Sequence, residues 1–396
     1  MASTAQANLK GSARLGSYLK KLRTGYGYSL RGVEERARAD GGEIDNSQLS
    51  RYEKGICYPS FDKLRVLANV FNVSIQSFSD VVDLETLENI KPALGAPEDL
   101  IEEGVAALKS GDHGAAFALF ERSIEILEEE PPDAERLAMI GRARVNQAAA
   151  LARLGKLALA EQELRNALRR AETLEPRLRT RALLALANIH ADQGDGFLAE
   201  MEADKAHTLA TESGLDRLAA MARHIAARVL GELGQSMAAI ERYRESAQLY
   251  AACGEQFEAI RVRMNIGSHY VKLGKLREGI RMLREALNEA REGGHRRLEA
   301  YAWSKIGQSY YTLEDLRRAR SCFRESDALA IYNGEKQSDI LFLNSFYEWQ
   351  IAARDNNPTR EKIAFGRLKV LRSSLERRFP EVDQFDDYVE RGRNHA

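Results

Sequence analysis

Four stretches decide the fold: RLGKLALA (153–160), DQGDGFLA (192–199), ELGQSMAA (232–239) and KLGKLREG (272–279). Their turn glycines, Gly155, Gly194, Gly234 and Gly274, follow one another at 39, 40 and 40 residues. An earlier copy holds Gly111 in KSGDHGAA (109–116), and a later one has Glu314 at the same place in TLEDLRRA (312–319). Five residues after each turn position stands a small residue: Ala116, Ala160, Ala199, Ala239, Gly279, Ala319. Seven before it stands another: Gly104, Ala148, Ala187, Ala227, Gly267, Gly307. Nine after it the residue is usually large, as in Phe120, Leu164, Tyr243, Leu283 and Phe323. Two antiparallel helices pack closely only where small residues cross, and the large residue fills the gap between one pair and the next. Glycine ends the first helix because it accepts the left-handed conformation without steric cost. The spacing therefore predicts an array of helix pairs. A seventh, degenerate pair is expected over 338–354 and 360–378, and a closing helix near 383–391.

Working outward from the repeats, the chain has 396 residues, 58 Lys and Arg against 59 Asp and Glu, and a net charge of −1. Nothing global marks it as a nucleic-acid binder, so any basic surface is local. The charge is uneven: residues 1–79 carry 12 basic against 7 acidic side chains, +5, which leaves −6 for the remainder. With 44% hydrophobic residues and only 8 prolines, wholesale disorder and loop-rich all-β architecture are excluded. The N-terminus lacks the apolar run of a secretory signal, and no stretch approaches the roughly 18 apolar residues of a membrane helix. Cys57, Cys253 and Cys322 are few and far apart, as in a reducing compartment. A cytoplasmic protein without a membrane partner is expected. The seven histidines form no HExxH or Cys/His metal spacing, and there is no GxGxxG after a strand, no Walker loop and no GxSxG. We expect no enzyme, no cofactor and no metal.

The basic head reads as several short helices. In DNSQLSRYEKG (45–55), Asp45 is an N-cap and Gln48 completes a capping-box-like pair. Leu49 and Tyr52 face a core, Gly55 ends the helix, and Pro59 follows. A second amphipathic helix, SFDKLRVLANVF (60–71), and a short one capped by Ser74 complete it.

Ser50-Arg51-x-Glu53-x-Gly55, Pro59-Ser60, Leu64-x-x-Leu67-Ala68 and Val73-Ser74 resemble the lambda-repressor/Cro-like (XRE-type) helix-turn-helix over about 65 residues. The resemblance implies a recognition helix lying in the major groove of double-stranded DNA. Its DNA-binding candidates are Asn46, Ser47, Gln48, Ser50, Arg51, Lys54 and Arg31. Gln suits adenine and Arg guanine by bidentate geometry, whereas Ser50, Lys54, Arg31, Lys20, Lys21 and Arg23 suit phosphate. Glu53 is expected to tie the recognition helix to its neighbour. The chain departs from the pattern in a longer connection around 39–43, and in Glu34 where the family carries alanine. The connection either extends the second helix by a turn or forms a loop.

The repeats resemble tetratricopeptide repeats, with Trp303, Gly307, Tyr310, Ala319 and Phe323 as the fullest match. The period departs from the family's 34, and a HEAT-like solenoid is the alternative. The resemblance implies an all-α chain: a five-helix head over 14–82, a linker over 83–97, and a right-handed superhelical array of about seven antiparallel helix pairs over 98–396. It also implies which positions of each first helix face a groove: Arg142, Asn146, Arg181, Asn188, His224, Arg228, Arg261, Asn265, Lys305, Gln308 and Asn344, with Arg153 and Lys272 beside them. Asn pairs with backbone amides, and arginine forks suit carboxylates. A Cro-like head on such an array is similar to the RRNPP quorum-sensing receptors of Gram-positive bacteria. That similarity implies a homodimer on a palindromic operator and a short signalling peptide as the array's ligand. Two alternatives are an interaction scaffold that binds a partner protein and a ligand-free phage-type repressor.

Overall fold

The computed structural model describes residues 11–129, 131, 133–170, 172, 174–332, 334–375 and 379–394. The tail 1–10, residues 376–378 at the end of the expected seventh pair, and His395 lie outside them. The fold is all-α apart from one two-residue hairpin. It divides into two compact units, Met1–Ile189 and His190–Ala396.

The first unit opens with five helices: α1 (Ala13–Gly25), α2 (Leu30–Ala39), α3 (Asn46–Glu53), α4 (Phe61–Phe71) and α5 (Ile75–Asp83). Each starts where a short polar side chain can accept the orphan N–H groups of its first turn. Ser12, Ser29, Asp45, Ser60 and Ser74 do so in turn. Leu19, Val33, Ala37, Leu49, Leu67, Phe71 and Phe78 form the core they enclose. α1 crosses the end of α3 at Gly16, where a Cβ would lie 2.5 Å from the Glu53 carbonyl oxygen. The long connection resolves as a loop. α2 stops at Ala39, Gly41 turns at φ +75°, and Ile44 is buried.

Residues 83–97, read as a linker, include a 3-10 helix over Leu84–Ile90 with Leu84 buried. Here the head is fastened to the next four helices, α6 (Pro97–Ser110), α7 (His113–Glu128), α8 (Ala134–Arg153) and α9 (Leu157–Leu168). The Arg14 guanidinium pairs with Glu88 and Glu121 and lies 5.2 Å from the centre of the Phe117 ring. Lys91 pairs with Glu121 at 3.1 Å and with Glu125. Lys156 bridges Asp80 at 3.1 Å and Asp83 at 2.5 Å, and the Tyr18 hydroxyl donates to Gln162 at 2.8 Å. α10 (Pro176–Asp192) runs to the boundary with the second unit.

The second unit continues the pairing. Helices α11 (Gly196–Glu212), α12 (Asp216–Glu232), α13 (Ser236–Ala252), α14 (Gln256–Lys272), α15 (Leu276–Glu292) and α16 (Arg296–Thr312) are each 17 residues long. α17 (Leu316–Ala330), the hairpin β1 (Ile331–Tyr332) and β2 (Glu335–Lys336), α18 (Ser338–Arg354), α19 (Pro358–Arg372) and α20 (Pro380–Asn394) complete the chain. The small and large positions meet as their spacing requires. A Cβ on Gly104 would stand 2.6 Å from the Phe120 ring, and one on Gly307 would stand 2.6 Å from the Phe323 ring.

The turns of the second unit are more regular than the repeat itself. Gly214, Gly234, Gly254, Gly274 and Gly294 stand 20 residues apart, all at φ between +66° and +79°. Glu314 takes the next place at φ +59°. An L-residue there costs roughly 1–2 kcal/mol that glycine does not, less the extra chain entropy glycine loses on folding. Glu314→Gly should therefore stabilise the protein by about 0.5–1 kcal/mol. Urea unfolding would show it, and a loss of stability would mean that Glu314 makes a compensating contact.

Candidate functional site

The recognition helix is held from three sides. The Asp45 carboxylate accepts the Gln48 N–H at 2.7 Å, a bond that lowers its pKa. Glu34 accepts the Asn46 N–H at 3.3 Å and an Arg38 N–H at 3.0 Å. The departure from alanine at position 34 thus supplies a second acceptor at the N-terminus of α3, which the sequence reading did not foresee. At the other end Arg23 forks onto Glu53, with Nε 2.6 Å from Oε1 and Nη2 3.0 Å from Oε2, while Nη1 donates to the Tyr28 carbonyl at 2.9 Å. Glu53 thus ties α3 to α1. Arg23, expected to meet phosphate, is a structural residue, because Glu53 and the Tyr28 carbonyl hold its guanidinium. Its hydrogen bond to Glu53 raises its pKa.

What remains open on α3 is the edge that carries the candidate DNA contacts. Asn46, Ser47, Arg51 and Lys54 are exposed, and Gln48 and Ser50 are half-buried. Among the described residues Arg51, Lys54, Lys20 and Lys21 have no acidic partner. Arg31 is exposed and 3.4 Å from Glu35, one helical turn away, a pair that water and salt weaken. Glu53→Ala would strand a mostly buried guanidinium and should cost about 2–3 kcal/mol. Urea unfolding would measure it, and a change under 0.5 kcal/mol would mean that solvent replaces the pair.

The array positions fare unequally. In the first unit Arg142, Arg181 and Asn188 are exposed. Asn188 donates to the Leu184 carbonyl at 3.0 Å, and partial desolvation of the Arg181 guanidinium, then Arg177, lowers the Arg181 pKa. Asn146 is only 4% exposed. In the second unit Arg228 lies 3.2 Å from Glu232 and 3.6 Å from Asp192, and Arg261 donates to Glu258 at 2.7 Å. Lys305 donates to Gln308 at 3.1 Å, and Asn265 is half-buried. Asn344 is inside the core at 1% exposure, with both amide protons engaged by Ser326 and Asp327 at 2.8 Å.

A row of rings runs beside these positions, and the sequence reading had assigned only His224 among them to the site. His224 stands edge-on to Tyr243 at 5.5 Å, and Tyr243 lies 5.6 Å from His269. His269 is buried, with Nδ1 3.2 Å from Ser236 Oγ. Burial, then the Lys272 and Lys305 ammoniums, push its pKa down to about 4, so it is neutral at pH 7. Among the described residues no group of His, Cys, Asp and Glu could hold a metal ion, and no helix is long and apolar enough to cross a membrane.

Comparison with known proteins agrees with this geometry. Residues 19–78 match the helix-turn-helix family model, and residues 300–330 match a tetratricopeptide repeat. No curated protein matches the chain. A tetratricopeptide repeat protein from Parabacteroides merdae aligns at 14% identity and a TM-score of 0.53, covering 69% of this chain and 93% of that one. The apo form of RapI aligns at 11% identity and 0.53, covering 70% and 97%. The apo quorum sensor NprR from Bacillus thuringiensis aligns at 14% and 0.49, covering 73% and 79%. At these identities the first two likenesses establish the helical repeat fold. The chain joins a helix-turn-helix domain of the matched family to a tetratricopeptide-type repeat array.

Proposed function

We propose that this protein is a sequence-specific DNA-binding transcription regulator whose array binds a short peptide, and that it acts as a homodimer on a palindromic operator. The observation that carries the reading is the state of α3. Its candidate base-reading side chains are largely exposed and Arg51 has no acidic partner among the described residues, while Asp45, Glu34 and Arg23–Glu53 fix its position. A helix held in this way loses little freedom on entering a groove. One head makes few contacts, and two heads one helical turn apart double the readout. A peptide changes DNA affinity only so far as it prefers one arrangement of the protein over another.

Fluorescence anisotropy on DNA from the upstream region of the protein's own gene, across a salt series and with or without a concentrated peptide fraction of culture medium, tests the proposal. The expected result is tight, salt-steep, sequence-selective binding that the peptides alter. No selective binding at any salt would overturn it. One observation favours a second reading, a scaffold for a partner protein: Phe197 and Met237 in the second unit are 77% and 49% exposed. Selective DNA binding that no peptide alters would move the assignment there.

A further inference from the structure

The two places where the head departs from its family pattern, Glu34 and the long connection after Ala39, meet in the structure. Residues 40–45 join α2 to α3 outside any helix. A free connection of that length would let the first turn of α3 wander, and a base-edge hydrogen bond is lost when its partners are misplaced by more than roughly half an ångström. The structure fixes the connection along its length. Gly42 lies so close to α4 that a Cβ on it would stand 2.6 Å from both methyls of Val66. Ile44 is buried in the core of the head. The Lys63 ammonium, from α4, donates to the Glu43 carbonyl. The Glu34 carboxylate, from α2, accepts the Asn46 N–H at 3.3 Å through one oxygen and Arg38 at 3.0 Å through the other.

The last two contacts grip the backbone on either side of Asp45, the N-cap of α3. They come from different helices, so the entry to α3 is stretched between α2 and α4. Both side chains are half-buried. A pattern with alanine at position 34 has no acceptor there, so the long connection and Glu34 work together: the first frees the start of α3 and the second recaptures it. Asn46 and Ser47 are the exposed residues held in this way. Arg51 stands more than a helical turn further on, next to the end that Arg23 and Glu53 fasten.

We propose that Glu34 and Lys63 are positioning residues for base selectivity at the N-terminal end of the recognition helix. They set where Asn46 and Ser47 meet the bases, and they leave the base pair read by Arg51 to the Arg23–Glu53 anchor. The proposal rests on the DNA-binding reading given above and needs no ligand in the array.

The test uses the full-length protein and an operator library in which each base pair is varied singly. Asn46→Ala, Ser47→Ala and Arg51→Ala first map the base pairs at which each residue carries selectivity. Glu34→Ala and Lys63→Met should each cut selectivity about fivefold at the base pairs mapped to Asn46 and Ser47, the lower end of what one good base contact gives, and change it by no more than about twofold at that of Arg51. Glu34→Gln keeps an acceptor for the Asn46 N–H, and Lys63→Arg keeps a donor for the Glu43 carbonyl, so both should retain selectivity. In an Asn46→Ala/Ser47→Ala background, Glu34→Ala should have no further effect at those base pairs. An equal loss at every base pair, or weaker binding with selectivity unchanged, would make the two residues structural only and overturn the proposal. So would a Glu34→Gln variant as unselective as Glu34→Ala, which would assign the effect to charge. A salt slope lower by about 1 in Lys63→Met would make Lys63 a phosphate contact and remove it from the pair. If Asn46→Ala and Ser47→Ala alter no base pair, the proposal falls while the DNA-binding reading stands. If the wild type binds no DNA selectively, that reading falls first.

Discussion

Arg51→Ala is expected to weaken binding to the operator by about 1–3 kcal/mol and to relax selectivity at a single base-pair position. The side chain is exposed on α3 and has no acidic partner among the described residues, so its removal leaves no described group stranded inside the head. Stability should stay within about 0.5 kcal/mol of wild type, the usual range for a surface change. Lys54→Ala is the control. Removing an ammonium that meets phosphate should weaken binding equally on all sequences and lower the salt slope by about 1. Anisotropy titrations on the operator and on single-base variants separate the two. If Arg51→Ala reduced affinity uniformly, Arg51 would be a backbone contact and the register of α3 in the groove would have to be redrawn.

Arg14→Glu is expected to release the head from the array. Arg14 is 13% exposed and lies among Glu88 and Glu121, with Lys91 and Glu125 close by. Reversing its sign puts a further carboxylate into a cluster that keeps Lys91 as its central cation. Breaking a partly buried pair of this kind costs about 3 kcal/mol, equivalent to roughly a hundredfold more of the open form. Glu88, in the 3-10 helix over Leu84–Ile90, is the natural reporter, because a glutamyl endopeptidase can cut after it only when the segment lets go. Native-state proteolysis follows the open population when closing is fast, so nicking after Glu88 should accelerate by about the same factor. An unchanged rate would mean that Lys156, Tyr18 and the apolar packing hold the head without Arg14.

Much of this architecture was legible from the chain because its signals are local. Ser29, Asp45, Ser60 and Ser74 each begin a helix, and a cap is a property of adjacent residues. The degenerate pair was legible for the same reason: α18 covers Ser338–Arg354 as its pattern predicts. What escaped depends on long separations. Arg23 and Glu53 are 30 residues apart, Tyr18 and Gln162 are 144 apart, and no spacing rule joins them. Asn344 looked like a groove residue because its pair was phased from the others, yet the side chain points into the core toward Ser326. The pairing of Arg228 with Glu232 and of Arg261 with Glu258 was within reach, since both are one helical turn apart.

The twenty-residue beat of the turns in the second unit sets how such a gene can change in length. An in-frame crossover that removes residues 255–294 deletes α14 with α15 and brings Gly254 to the place of Gly294, so every surviving helix keeps its neighbour type. A crossover of half that length, 255–274, removes α14 alone and seats a second-of-pair helix where a first-of-pair helix stood. Nearest-neighbour interfaces hold repeat arrays together, so the first lineage would inherit a shorter working protein and the second a mismatched stack. Copies of this array should therefore vary in nature by forties and not by twenties.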